Sequence, residues 1–425
     1  MRRLGARSAL ASILAGALLV LAISAGNSYA GHLNPTQRRF LGLAEAGVAK
    51  IHRLWWNPSR GWFDAELHSN RVATLWEVVP LFEALDGIAI ADPTARHKSN
   101  VDGFARYAEA YLNRSLRPVA GFAPVPGERG GRTTWFDDNG WWGLAFLDAY
   151  EATGRRSYIG DAETAFRFIA RSGWDSTPGS PGGLWWDTQH SFFAGETLAG
   201  GSELGARLYA ITHKPQFLSE VQKFINWGNV WLWDSADGLY ARLRTPAGEF
   251  SSGGVQPETT AETLRIPAGE AAKLQAAPGG TPMSATATAS GLASFIPTPL
   301  PYVQGPMIVA NETLCKATGV NGYCDRAEKL ARDSAKRFPE LTMGPQYDNV
   351  YLHDMLELYA QDGHSEWYRI AKENAQRAYA NSREGNELYL RAWTGRSSGT
   401  VGSPPGSIQL QAATVNVFAW MAAVR

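Results

Sequence analysis

Four segments of this chain superimpose at fixed offsets, and that repetition limits the fold more than any other feature. Tyr150, Tyr209, Cys315 and Tyr359 each end an apolar stripe with helical spacing. Four residues later come Gly154, His213, Gly319 and Gly363. Eight residues later come Tyr158, Phe217, Tyr323 and Trp367, and four beyond those Ala162, Val221, Ala327 and Ala371. Glycine just after the last periodic residue suits the left-handed backbone that stops a helix. The aromatic then opens a second helix with its small i+4 partner, so each unit is helix, tight turn, helix. Such a hairpin cannot bury its apolar face alone, and repetition lets neighbours do it.

Weaker copies surround these four. Thr36–Trp55, Thr74–Ile90, Val101–Leu116 and Gly406–Val424 read as further helices, giving about twelve helices, or six hairpins. Strand-like alternation is scarce outside pieces such as Leu239–Leu243. The predicted class is all-α: a single (α/α)6 toroid, or barrel, of six helical hairpins over residues 31–425, with an inner and an outer ring. An open solenoid obeys the same periodicity. A Gly-, Pro-, Thr-rich insertion at about 242–300 interrupts the rhythm: Tyr209 to Cys315 is 106 residues, against 59 from Tyr150 to Tyr209. A loop of that length is functional or disordered, and it is expected to lie over one end of the toroid. A shorter loop, Arg396–Ser407, precedes the last helix.

Residues 1–30 read as a signal peptide: Arg2, Arg3 and Arg7, the apolar run Ala9–Ala25, and the small-x-small stretch Ser28-Tyr29-Ala30. A membrane anchor is the rival reading, although the run is rather short to span a bilayer. The expectation is a secreted or cell-envelope-associated chain with no membrane span after signal removal. Lys plus Arg equals Asp plus Glu, 40 against 40, which argues against nucleic acid or an anionic membrane as partner and suits a neutral polar ligand. In an exported chain Cys315 and Cys324, the two cysteines, either form one disulfide or remain two buried thiols. There is no Cys/His cluster and no GxGxxG-to-helix fingerprint, so neither metal nor organic cofactor is expected. His97 and His213 fall in predicted turns.

The chemistry-bearing stretch is RTTWFDDNGWWGLAFLDAYEATG, Arg132–Gly154, where Asp137 and Asp138 stand at the entry to a helix. The plain account is capping, with Asp138 or Asn139 as N-cap and its neighbour favouring the helix dipole. Two carboxyls on adjacent residues of non-helical backbone also straddle a bond lying across the helix end, and retaining glycosidases hold theirs about 5–5.5 Å apart. Mutual repulsion separates their pKa values, and a wall of Trp135, Trp141 and Trp142 pushes the acid further up. Other helices open at GGLWWD, PYVQGP and PQYDNVYLHD. In a toroid these bring Trp185, Trp186, Tyr302, Gln304, Tyr347 and Asp348 to the face that holds the aspartates. Each of these alone reads equally as core or cap; together they offer flat faces and hydrogen-bonding groups suited to sugars.

WFDDNGWWGLAFLDAYEATG, GGLWWD, ARLYAITHKPQFLSEVQKFINW with DGLYAR, YVQG and IQLQAATVNVFAWMAA together resemble glycoside hydrolase family 76, in order along nearly the whole chain after residue 30. The resemblance implies an (α/α)6 barrel acting on α-1,6-linked mannan with retention of configuration. Asp137 then resembles the nucleophile and Asp138 the general acid/base, while Trp135, Trp142, Trp185 and Trp186 stack on sugar rings. Three places depart from the family pattern. Tyr302-Val303-Gln304-Gly305 has Val where Asn is usual, Tyr347-Asp348-Asn349 replaces an aromatic-Lys-Gly stretch, and Gly195-Glu196-Thr197-Leu198 lacks the Asn expected ahead of ARLY. The expected partner is a polysaccharide, acted on by a monomer. The same residues serve transglycosylation, and a non-catalytic glycan-binding or cell-wall protein is the reading outside catalysis.

Overall fold

A computed structural model describes residues 33–245, 294–395, 404 and 406–424. The signal peptide expected at 1–30, most of the insertion expected at about 242–300 and most of the loop Arg396–Ser407 lie outside the described residues. Twelve α-helices are present among those described: α1 (Pro35–Trp55), α2 (Leu75–Ala91), α3 (Ala95–Ala108), α4 (Phe136–Thr153), α5 (Ser157–Phe168), α6 (Gly195–Thr212), α7 (Pro215–Trp231), α8 (Pro301–Thr318), α9 (Asn321–Arg337), α10 (Pro345–Asp362), α11 (Ser365–Asn381) and α12 (Ile408–Ala423).

Two kinds of helix alternate, and their sequences say why. In α9 the buried residues are Tyr323, Ala327, Leu330, Ala331 and Ser334, a single stripe. Every residue of α12 is buried, as a helix apolar all round must be. The buried kind packs α2 on α4, α4 on α6, α6 on α8, α8 on α10, α10 on α12, and α12 back on α2. The ring closes, so the architecture is the (α/α)6 toroid and not the open solenoid. The striped helices α1, α3, α5, α7, α9 and α11 lie outside it. Asn416 of α12 fastens the closure, donating to Glu83 of α2 (2.7 Å) and to Asn349 of α10 (2.9 Å). No helix among the described residues is long and apolar enough to cross a membrane.

The repeated turn forms as the spacing requires. Gly154, His213, Gly319 and Gly363 take φ of 77°, 54°, 72° and 74° and donate their N–H to the carbonyls of Tyr150, Tyr209, Cys315 and Tyr359. Tyr158, Phe217, Tyr323 and Trp367 are buried at the start of the outer helices, against fully buried Ala162, Val221, Ala327 and Ala371. Cys315 and Cys324 are joined as a disulfide with Cα atoms 5.3 Å apart, tying the end of α8 to the start of α9.

Two boundaries differ from expectation. The helix read as Val101–Leu116 begins at Ala95, because Thr94 caps it by accepting the His97 N–H (3.2 Å). His97 therefore sits in a first helical turn, not a loop, between Glu45 (3.0 Å) and Asp92 (3.3 Å). The helix also ends early, since its last stretch enters a strand. Among the short antiparallel ladders, β1 (Trp56–Asn57) pairs with β2 (Trp62–Phe63), and β3 (Leu112–Asn113) with β4 (Gly121–Phe122). The strand expected at Leu239–Leu243 is β7 (Leu239–Thr245), paired with β5 (Phe193–Ala194), β6 (Trp233–Asp234) and β8 (Ser294–Pro299). Thr245 faces Ser294 in the β7–β8 register, so the insertion leaves and returns at one point, just ahead of α8.

Below the ring's mouth the toroid carries a polar interior. Glu83 and Asp86 of α2, Asp148 of α4, Glu203 of α6 and Asp354 of α10 are all buried. Arg207, itself partly exposed, pairs with Asp148 (2.6 Å) and Glu203 (3.5 Å).

Candidate active site

Successive inner helices run the same way, and the second residue of each meets the others at one mouth: Trp76, Asp137, Glu196, Tyr302, Gln346 and Gln409. Ring contacts trace the rim. Trp76 lies 6.3 Å from Trp141 and 6.1 Å from Tyr347, Tyr302 lies 4.9 Å from Tyr347, and Gln409 donates to the Trp76 carbonyl (2.7 Å). Six helix N-termini thus turn their positive ends toward one mouth, a setting that tolerates clustered carboxylates.

Asp137 is 8% exposed, and its Oδ2 accepts a hydrogen bond from Trp186 Nε1 at 3.1 Å. Burial is the main cause that pushes its pKa up, to about 7, and the charge of Glu196 adds to it; Trp186 and the N–H groups of the helix start oppose it. Asp138 is part-exposed. Its pKa is pushed well above the carboxylate range by burial, then by Asp137, then by Glu77. Donors to the charged form favour ionisation, so Asp137 releases its proton first and Asp138 keeps one. The sequence reading named repulsion as the first cause; burial outranks it in both residues.

Capping does not explain the pair. The N-cap is Trp135, with no side-chain cap bond. Asn139 instead binds the Phe122 N–H (2.8 Å) and carbonyl (2.9 Å) and the Trp135 carbonyl (2.9 Å). The two aspartates stand on helical backbone, not the extended backbone expected, and leave the axis about 100° apart.

The motif residues divide. Trp186 is held to α4 where the Phe136 N–H meets its carbonyl (2.9 Å). Trp135 lies against it, ring centroids 6.2 Å apart. Both are part-exposed, as is Tyr347. Tyr302 is buried and donates its hydroxyl to Glu196 (3.1 Å). Four other expectations are corrected. Trp142 is fully buried against Phe82, Tyr111 and Phe146, because a one-residue step on the helix turns it from the mouth into the core. Trp185 is buried, with His190 stacked on it at 4.9 Å and Phe193 at 4.1 Å. Gln304 is spent on the Tyr240 backbone, N–H and carbonyl both at 2.9 Å. Asp348 accepts the Gly344 N–H (3.0 Å) and so caps its own helix.

Sequence reasoning gave no role to Glu196, Arg242, Trp76 or Glu77. The repeat held the signal for Glu196, which occupies in α6 the register of Asp137 in α4. A cavity of about 490 Å³ opens elsewhere, between α1 and α3. It has Glu45 as its one lining carboxyl group, so it offers no paired acid chemistry. His353, in the ring wall, is buried 3.8 Å from the Trp420 ring, and burial lowers its pKa.

Residues 123–242, which contain both aspartates, match the model of Glycosyl hydrolase family 76. A comparison with curated proteins finds no match. Among solved structures, the chain is similar to a family 76 α-mannanase from Bacteroides thetaiotaomicron: 16% identity, 90% of this chain and 95% of that one, TM-score 0.72. It is similar to an α-1,6-mannanase of Salegentibacter sp. HEL1_6 at 17% identity, covering 91% of this chain and 100% of that one, TM-score 0.66. An inactive variant of that enzyme, with two consecutive aspartates replaced by alanine, is in complex with α-1,6-mannotetrose. A D-mannose isomerase shares the fold at 10% identity, 91% and 98% coverage and TM-score 0.56, so the toroid alone does not fix the chemistry. The segment that matches the Glycosyl hydrolase family 76 model thus carries the acid pair, on a toroid shared with family 76 mannanases.

Proposed function

We propose that the chain is an exported, endo-acting retaining glycosidase that cleaves α-1,6-mannan-type polysaccharide by double displacement. The observation that carries this reading is the pair at the mouth: two carboxyls on consecutive residues, one favoured as carboxylate and the other as acid. Asp137 attacks the anomeric carbon while Asp138 hands its proton to the departing oxygen, leaving a glycosyl ester on Asp137. Asp138 then takes a proton from water, whose oxygen attacks the same carbon, and Asp137 departs as carboxylate. The Trp186 N–H on Oδ2 keeps Asp137 oriented, and the part-exposed faces of Trp135, Trp186 and Tyr347 suit pyranose rings. The substrate class is drawn from the mannanases that share the fold. Export is supported by the apolar leader and by the Cys315–Cys324 disulfide.

The test is digestion of linear α-1,6-mannan followed by NMR of the first products. The reading expects oligosaccharides of several lengths whose new ends start as the α anomer. Monosaccharide alone, initial β anomer or no cleavage would each count against it.

A further inference from the structure

Glu196 takes no step in that mechanism, yet it is among the most thoroughly buried charges at the mouth, at 1% exposure. Its Oε1 accepts from Arg242 Nε at 2.9 Å and from the Tyr302 hydroxyl at 3.1 Å. Its Oε2 is equally enclosed and has no hydrogen-bond partner among the described residues. Two donors on one oxygen, one from β7 and one from α8, lock the carboxylate in a single orientation. A charge held so firmly and half unpaired acts on what surrounds it, and its acidic neighbour is Asp137, one inner helix away.

We propose that Glu196 is a positioning residue for the reaction: Arg242 and Tyr302 clamp its carboxylate beside Asp137, so that a fixed negative charge backs the attacking group through both displacements. This rests on the reading of Asp137 as that group. Before attack, the neighbouring charge disfavours the Asp137 anion, and bond formation to carbon relieves the repulsion. At the oxocarbenium-like transition state the same charge attracts the positive centre, with nothing to reorganise because the clamp is already made. Arg242 offsets part of that charge. The titratable groups facing Asp137 are Asp138 of α4, Glu196 of α6, Tyr302 of α8 and Tyr347 of α10, while Arg242 of β7 acts on Glu196. Glu77 of α2 acts instead on Asp138 and is bound to Arg71 (3.0 Å).

The experiment compares pH profiles of the folded full chain on α-1,6-mannan. Glu196→Gln keeps the shape and removes the charge. It should move the acidic limb of kcat/KM about one unit lower and reduce kcat about ten-fold with KM little changed. Arg242→Gln bares the charge and should move the limb higher. Tyr302→Phe, which deletes one clamp bond, should move it the same way by less, and stands in if Arg242→Gln fails to fold. Shifts in one common direction, or none, in variants that melt with the wild type overturn the proposal. Carboxyl 13C titration of Asp137, assigned through Asp137→Asn, reads the same movements without substrate. An Asp137→Asn enzyme that still cleaves mannan fails the parent reading, while an Asp137 resonance that ignores both substitutions fails this one.

Discussion

In water an aspartic acid is ionised above about pH 4; at this mouth two neighbours hold their protons far longer, and the rate should show it. In the proposed mechanism Asp137 must be ionised to attack, so kcat/KM should climb as pH rises through about 7 and fall only at the higher pH where Asp138 loses its proton. A profile already flat at pH 5 would refute that ordering. Asp137→Asn should lower kcat about 10³-fold or more with KM nearly unchanged. Asp138→Asn should lower kcat/KM strongly on mannan but much less on an aryl glycoside, whose leaving group needs no proton in the first step. Of the candidate residues read from the chain, Asp137, Asp138, Trp135, Trp186, Tyr302 and Tyr347 lie at the mouth. The doublets misled, because residue type does not say which of two neighbours turns inward. Trp141 faces the rim aromatics Trp76 and Tyr302, whereas Trp142 is sealed behind it.

Helix packing sets how precisely the pair is held. A Cβ at Gly140 would lie 3.1 Å from the Gly200 backbone, where α4 crosses α6 two residues past Asp138. Gly140→Ala must push the helices apart, costing about 1–3 kcal/mol; melting temperature and kcat should fall together. Gly363 offers the contrast. It sits at φ 74° in an αL cap with open space around the missing Cβ, so Gly363→Ala should cost about 1 kcal/mol through backbone strain alone and leave kcat unchanged. Four hairpins were readable because their first helix ends on such a cap and the second restarts on an aromatic. The start of α3 was not, because a polar first turn with Thr94 as cap has no apolar period to mark it.

For the whole molecule, charge burial decides the response to pH. Asp148, Asp348, Glu357 and Glu203 have pKa values raised to about 6, 7, 7 and 8, with burial the leading cause. The folded chain thus keeps protons that the unfolded chain releases near pH 4. That contribution is complete below about pH 4 and is lost as pH climbs through 6 to 8. Thermal unfolding monitored by circular dichroism should therefore give a higher midpoint at pH 5 than at pH 8. Ring closure could not be read from periodicity, since toroid and solenoid share it; it depends on α12 fitting between α2 and α10.

That fit has a consequence in time. The piece that seals the circle is made after the two it joins, so a nascent chain keeps a gap with bare apolar edges until translation passes residue 423. Truncation before Gly406 should yield an aggregating, protease-sensitive product. Under the proposed export the chain would cross a translocation channel as an unfolded thread, and a ring that closes only when α12 arrives would hold folding back until then.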